Sequence, residues 1–309
     1  MSQRGNIALW LAAAALITAP LRAAPITWTG VDVPAMTSLA DDDIARHSDD
    51  AAYLTGITVA QSRFSENGFN WHLIRFTNSV KPDGPLWVVP HDDENAAFDS
   101  MIMALRLYGG TGIAVNSGPG SERRQEGRGR CGEKAAITSS CDPNRNFSEF
   151  SPAFTAAFLD RASSNQPIIA LHTNSAGFAG DGQAGSGDVT IVDKTAYNAG
   201  EIKPRADAIF GINQVAQLAN YDTLGLIPFR ATAKDNIVKA APCGISLANA
   251  GVHFWAERVG RSDGSLSNYI VLNRPNLAYF NAESRREVDL GIASTRHMLM
   301  TAAYMKSCH

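Results

Sequence analysis

The sequence predicts an α/β fold in which a mixed, mostly parallel sheet carries helices on both faces. Short apolar segments typical of buried strands, such as 86–89 and 168–171, alternate with longer segments typical of helices, such as 96–108. Apolar residues make up 45% of the 309 residues and charged residues only 18%, so the chain is able to bury a sizeable core. One large domain over residues 25–309 is the simplest expectation.

The same patterns assign the elements in chain order. Strands are predicted at 71–77, 86–89, 112–115 and 168–171, with helices at 96–108 and 153–163. The later part is predicted to contain a helix near 206–219, strands near 253–257, 269–272 and 277–280, and a closing helix at about 286–306. In such a sheet, ligands bind at the carboxyl ends of the strands.

Residues 1–24 are predicted to be a secretory signal peptide. Arg4 precedes an apolar stretch at 7–17, which is too short to span a bilayer but suits the hydrophobic region of a signal. Cleavage after Ala23 or Ala24 is expected, with an uncleaved membrane anchor as the alternative. No later run is long and apolar enough to span a membrane, so we expect a soluble mature protein that is periplasmic or secreted.

The four cysteines agree with export and predict two disulfide bonds. Cys131 and Cys141 bracket a short loop, which makes their pairing the economical one and leaves Cys243 with Cys308. A zinc site built from thiolates is the alternative, and the absence of any Cys-x-x-Cys spacing argues against it.

Charge and glycine patterns argue against nucleic-acid and nucleotide binding. The formal net charge is -3, and no basic cluster alternates with aromatic residues. Two glycine-rich stretches, at 117–132 and 177–187, lack the Gly-Lys-Ser/Thr of a phosphate loop. We therefore interpret both stretches as loops that flank a site.

Three distant segments each end an apolar run with a residue suited to zinc chemistry. A His and a Glu three positions apart face one ion where the backbone bends into a helical turn, and His91 and Glu94 stand just before the helix predicted at 96–108. His172 would complete a catalytic site of two His and one carboxylate, with a fourth position open for water. The alternatives are ordinary: Glu94 as an acid favoured by the helix dipole, and His172 as a hydrogen-bonded histidine at a strand end.

In order and type, His91-x-x-Glu94, Asn144-Arg145, His172 and a late Glu283 resemble the pattern of zinc carboxypeptidases of the funnelin (carboxypeptidase A-like) superfamily. The resemblance implies a mixed-sheet α/β fold and hydrolysis of a peptide or amide bond. It implies that His91, Glu94 and His172 bind Zn²⁺. It also implies that Asn144 and Arg145 hold a substrate carboxylate and that Glu283 is the general base.

The resemblance leaves other positions open. The interval from Glu94 to His172 is shorter than in the animal digestive enzymes and similar to that of compact bacterial members. Arg128 or Arg130 would take the place of the arginine that polarises the scissile carbonyl in the family. Candidates for the tyrosine that closes over the substrate are Tyr269 and Tyr279, and Glu257 competes with Glu283 as the base.

The expected function is an exported zinc-dependent peptidase or amidase that cleaves an amide next to a free carboxylate, with cell-wall peptides as the expected substrate. One alternative is a zinc N-deacetylase of the His-Pro-Asp-Asp-Glu type. That class places a ligating Asp where this chain has Glu94, and it needs a later His-x-x-His pair that this sequence lacks. The other alternative is a non-catalytic exported binding protein on the same fold. The sequence gives no oligomeric state.

Overall fold

A computed structural model shows the fold of the chain. The residues that the structure describes are 26–32, 41–50, 52–116, 129–132, 141–174, 206–208, 223–230, 243, 246–247, 250, 252–286 and 288–309. The predicted signal peptide at 1–24 lies outside the described residues and stays a prediction. The single domain at 25–309 likewise stays a prediction.

Ten strands within the described residues form one mixed sheet. They are β1 (Thr29–Val31), β2 (Ile57–Glu66), β3 (Phe69–Asn78), β4 (Leu86–Val89), β5 (Thr111–Val115), β6 (Ile168–Asn174), β7 (Ala206–Ala208), β8 (Thr223–Arg230), β9 (His253–Val259) and β10 (Tyr279–Arg285). Their order across the sheet is β1-β2-β3-β5-β4-β6-β10-β8-β9-β7. The prediction of an α/β fold with a mixed sheet is confirmed.

Helices cover both faces of the sheet, as predicted. The helices of the described residues are α1 (Asp42–Arg46), α2 (Asn95–Tyr108), α3 (Pro152–Leu159), α4 (Leu266–Asn273) and α5 (Leu290–Ser307). Alternate residues of a strand face opposite sides, so Trp87 and Phe280 join a core with α2 and α5, while Val88 and Ile168 join a second core with α3 and α4. Within the part of the chain that is described, no helix is both long and apolar enough to cross a membrane.

The sheet is less parallel than predicted. Five strand junctions are antiparallel, and four are parallel. One cause is the β2–β3 hairpin, whose two-residue turn is Asn67-Gly68, with φ of 53° and 78°. Positive φ at both central residues is the requirement of the tight turn that matches the twist of an antiparallel pair, and Asn-Gly is its usual sequence.

One predicted element is wrong, and a second is wrong over the three residues of it that the structure describes. Residues 269–272 belong to helix α4 instead of a strand, because Ser265 caps the helix by accepting a hydrogen bond from Asn268 N, and Leu266 and Ile270 are both buried at helical spacing. Residues 206–208, at the start of the helix predicted near 206–219, form strand β7 instead, and this strand pairs with β9. Residues 209–219 lie outside the described residues.

Two disulfide bonds join Cys131 to Cys141 and Cys243 to Cys308, which is the pairing expected from the sequence. The first closes a loop next to a 3-10 turn at Pro143–Arg145. Buried Asn146 extends this bracing, since its side chain accepts a hydrogen bond from Cys131 N and donates one to Cys131 O, at 2.9 and 3.0 Å. The bridge therefore fixes the backbone that enters the turn.

We expect the two bridges to stabilise the fold to different extents. Replacing Cys131 and Cys141 by serine should lower the free energy of unfolding by about 3 kcal/mol, because a short loop is released in the unfolded chain. The matched change at Cys243 and Cys308, which closes a loop with a separation of 65 residues instead of 10, should cost about 4 kcal/mol. Urea denaturation of both variants measures this, and a larger loss from the short loop would contradict the loop-entropy account.

Candidate metal centre

Parallel pairing brings three candidate residues to one edge of the sheet. β6 lies between β4 and β10 and is parallel to both. In the register of the second pair, His172 stands directly opposite Glu283. His91 follows the end of β4 by two residues, and Glu94 directly precedes α2. The carboxyl ends of β4, β6 and β10 therefore supply every residue of the predicted ligand set and the predicted base.

A backbone turn orients His91 and Glu94 toward each other. Glu94 N donates to His91 O at 3.4 Å, and Glu94 O accepts the first hydrogen bonds of α2, from Ala97 N and Phe98 N at 2.8 and 3.2 Å. Helix α2 thus begins directly after Glu94, whose side chain belongs to the predicted ligand set. Its carboxylate Oε1 lies 3.0 Å from His91 Nδ1.

The His91, Glu94 and His172 side chains form a compact cluster. His172 Nδ1 lies 3.2 Å from His91 Nδ1 and 3.3 Å from Glu94 Oε2. A tetrahedral zinc site with bonds of about 2.0–2.1 Å has ligand atoms about 3.3–3.4 Å apart. The separation of 3.2 Å between the two Nδ1 atoms is close to such an edge. The two histidines contact different oxygens of Glu94, His91 at Oε1 and His172 at Oε2, at 3.0 and 3.3 Å. Within the described residues, this is the group of three side chains that could hold a metal ion.

The cluster also holds polar atoms that the surrounding protein does not satisfy. Among the described residues, the buried atoms Glu94 Oε2 and His172 Nε2 have no hydrogen-bond partner. Leaving a buried carboxylate oxygen unsatisfied is costly. Burial by itself would raise the pKa of Glu94, but His91 and His172 outweigh it and hold the pKa well below its usual range. The site therefore stabilises an ionised carboxylate between two imidazoles, which is the state that a cation requires.

Asp142 holds the far side of the His91 ring. Its Oδ1 lies 2.9 Å from His91 Nε2 and also accepts from Asn144 N at 2.8 Å. A neutral His91 that donates Nε2–H to Asp142 has its Nδ1 lone pair directed at the cluster, which is the usual way a carboxylate fixes a ligating histidine. Burial opposes the charge on Asp142, but His91 lowers the pKa of Asp142 overall. Asp142 was not among the residues predicted for the site, although an acid before the Pro-Asn-Arg turn is typical of a helix cap.

The structure places Asn144 and Arg145 close to Asp142, but both already have partners. Asn144 Oδ1 accepts a hydrogen bond from Leu266 N, at the start of α4, at 3.1 Å. Arg145 Nη1 donates to Asp263 Oδ2 at 2.7 Å, and its Nε lies 3.4 Å from Asp142 Oδ2. The predicted substrate-binding pair thus connects the turn to α4. Sequence reasoning missed Asp263, which no local motif joins to Arg145.

The two candidate bases occupy different surroundings. Glu283 accepts from Asn281 Nδ2 at 3.0 Å, and burial raises its pKa against the opposing effect of His172. Glu257 lies on β9, which β8 separates from β10. The first turn of α4 satisfies both of its oxygens, through Ser267 Oγ at 3.1 Å and Asn268 Nδ2 at 3.0 Å. Of these two carboxylates, Glu283 is the one that lies opposite His172.

The remaining predicted residues lie apart or are not described. Arg128 lies outside the described residues. The Arg130 guanidinium lies over the Phe150 ring, 5.5 Å from its centroid. Of the two tyrosine candidates, Tyr269 is on α4, and Tyr279 is a core residue whose pKa is raised well above its usual range by burial and by the nearby Glu257 and Glu283 carboxylates.

Comparison with known proteins adds little. No family model and no curated protein matches the chain. A provisionally assigned carboxypeptidase from Burkholderia mallei ATCC 23344 aligns at 11% identity and TM-score 0.43, over 86% of this chain and 67% of that one. A provisionally assigned metallopeptidase from Shewanella denitrificans OS217 aligns at 12% identity and TM-score 0.37, over 86% and 88%. An esterase variant aligns at 14% identity and TM-score 0.26, over 86% and 89%. All three scores are below 0.5, so the function must be inferred from this chain's own residues.

We predict that the cluster binds one zinc ion and that Asp142 supports the binding. After dialysis against zinc, His172→Ala should retain far less than one equivalent by elemental analysis. Asp142→Ala should weaken the zinc affinity by about 10- to 100-fold, because His91 loses the group that orients its ring. Competition with a chromophoric chelator measures the affinity.

The matched control is His47→Ala, since His47 pairs with Asp99 instead of with the cluster. It should bind zinc as the wild type does. Stoichiometric zinc in folded His172→Ala would remove His172 from the site.

Proposed function

We propose that the chain is an exported zinc-dependent hydrolase that cleaves an amide bond next to a free carboxylate, as a carboxypeptidase does. The observation that carries this proposal is the close cluster of His91, Glu94 and His172, whose side chains could together hold one metal ion. A set of two His and one carboxylate leaves a coordination position open, which is typical of catalytic instead of structural zinc sites.

The residues of the cluster suit a zinc ion in their chemistry. Two imidazole nitrogens and one carboxylate oxygen are ligands that zinc prefers, and the ionised state of Glu94 suits a cation. When bound, zinc lowers the pKa of water and polarises a carbonyl. When His91 is neutral, a hydrogen bond from its Nε2 to Asp142 leaves Nδ1 available to the metal.

In the proposed reaction, Glu283 moves the proton. Its carboxylate accepts a proton from the attacking water as the oxygen adds to the amide carbon, and it delivers that proton to the leaving nitrogen when the carbon–nitrogen bond breaks. The products are a carboxylate and an amine. The position of Glu283 opposite His172, together with a pKa that burial raises, supports this role.

Arg145 would recognise the substrate carboxylate. A guanidinium binds a carboxylate through two parallel hydrogen bonds, which lysine does not reproduce. Arg145 connects to the cluster through Asp142, which contacts both Arg145 and His91. Short peptides with a free carboxyl terminus, including those of bacterial cell walls, are the substrates that we propose to test first.

Export is part of the proposal. Two disulfide bonds are typical of proteins from oxidising compartments. The predicted signal at 1–24 agrees with a periplasmic or secreted protein.

The test compares hydrolysis by the zinc-loaded protein, the chelator-treated protein and the chelator-treated protein after zinc is restored. Muropeptides and N-acyl dipeptides serve as substrates, with product detection by mass spectrometry. We expect release of the carboxyl-terminal residue that is lost with the metal and regained with it. A protein that binds zinc and substrate without turnover would instead be the non-catalytic binding protein that the sequence left open.

We predict that Glu283→Gln lowers kcat by about two to four orders of magnitude while zinc stoichiometry stays at one, because only proton transfer is removed. Glu257→Gln is the matched comparison, since Glu257 is the rival carboxylate. Both variants are first compared by thermal unfolding. Near-wild-type turnover in Glu283→Gln, with a large loss in Glu257→Gln, would assign the base to Glu257.

A further inference from the structure

The segment before α4 lies against the turn that carries Arg145. Phe147 N donates to Gly264 O at 2.9 Å, and Leu266 N donates to Asn144 Oδ1 at 3.1 Å. Gly264 has φ of +89°, and a Cβ at this position would lie 2.3 Å from Arg145 O. The two backbones are therefore in direct contact. The contact between the two backbones therefore places Asp263 next to Arg145.

Asp263 is itself held in one orientation. Its Oδ1 accepts from Ser265 N at 2.9 Å and from Ser265 Oγ at 2.6 Å. These bonds leave Oδ2 directed at Arg145 Nη1, 2.7 Å away. The protein thus presents a fixed carboxylate to the guanidinium that the proposed function assigns to the substrate.

Among the described residues, two carboxylates contact the Arg145 guanidinium. Asp263 contacts one end of the guanidinium and Asp142 contacts Nε. The Arg145 side chain is 31% exposed and that of Asp263 is 33% exposed, so a ligand from solvent can reach both. A substrate carboxylate that approaches Arg145 must compete with a carboxylate that is already there.

We propose that Asp263 is a specificity-determining residue, an internal competitor that sets how strongly Arg145 binds a substrate carboxylate. This inference rests on the proposed role of Arg145. It implies that a lone carboxylate binds weakly, and that substrates are selected by the further contacts that they make. An exposed ion pair is worth little energy, so a substrate is able to displace it.

The test is a substitution that should improve binding. Asp263→Asn keeps an oxygen that accepts from Ser265 but removes the charge that faces Arg145. For zinc-loaded protein, we expect the affinity for N-acetylglycine to rise about two- to fivefold, measured by NMR titration. The affinity for N-acetylglycinamide, which has no carboxylate, should not rise with it. The KM ratio of carboxylate to amidated peptide substrates should shift in favour of the carboxylate to the same extent.

Three further variants make the result specific. Asp160→Asn breaks another Arg–Asp pair, that of Asp160 with Arg75 at 2.9 Å, and should leave both titrations unchanged. Asp263→Ser tests the same inference if the asparagine variant unfolds at a lower temperature. The gain should vanish when Arg145→Gln is combined with Asp263→Asn.

The outcomes separate the two proposals. Unchanged or weaker N-acetylglycine binding in Asp263→Asn would overturn the inference, whether or not the enzyme turns over. Weaker binding would mean that Asp263 orients Arg145 for the ligand instead of competing. Absence of hydrolysis by wild-type protein would overturn the proposed function, while the titrations would still decide the role of Asp263.

Discussion

The parallel alignment of β4, β6 and β10 is the constraint on which the candidate site depends. Parallel strands end at the same edge, so residues far apart in sequence meet there without long connecting loops. His172 and Glu283 are opposite each other because of that register. The register is in turn held by burial on both faces, since a one-residue slip would move Trp87 and Phe280 into the opposite core. The packing of the two cores therefore also fixes the geometry of the site.

Helix α5 adds a second constraint, because it contacts both α2, which Glu94 directly precedes, and β6, which carries His172. Buried His297 bridges them: its Nε2 lies 2.7 Å from His172 O, and its Nδ1 lies 2.9 Å from Ser100 Oγ on α2. Ser294 Oγ donates to Ala96 O, in the first turn of α2, at 3.2 Å. The C-terminal helix thus fixes the distance between the residue that precedes α2 and the end of β6. The C-terminal end of α5 is held in place by the disulfide bond between Cys308 and Cys243.

The sequence allowed the prediction of those features that depend on local pattern. Strand β4 was predicted with its observed bounds, and α2 to within one residue, because their apolar periodicity is strong. The His91 and Glu94 spacing is also local. The strand predicted at 269–272 rests on a continuous apolar run of four residues, which fits a strand or a buried helix equally well. The cap at Ser265 favours the helix. Asp263 could not have been found this way, because its contact with Arg145 spans 118 positions and exists only after α4 docks on the turn.

Charge balance explains why these residues belong together. Glu94 and Asp142 are carboxylates that both contact His91, one on each ring nitrogen. Burial alone would lower the pKa of His91, but the two carboxylates outweigh it and raise the pKa well above its usual range. A proton on His91 thus balances two negative groups within the folded chain. A metal ion needs the same Nδ1 lone pair, so proton and metal compete for one position. Asp142 favours both states because it accepts the Nε2 hydrogen in each. The cluster therefore needs a positive charge at this position, and either a proton or a metal ion supplies it.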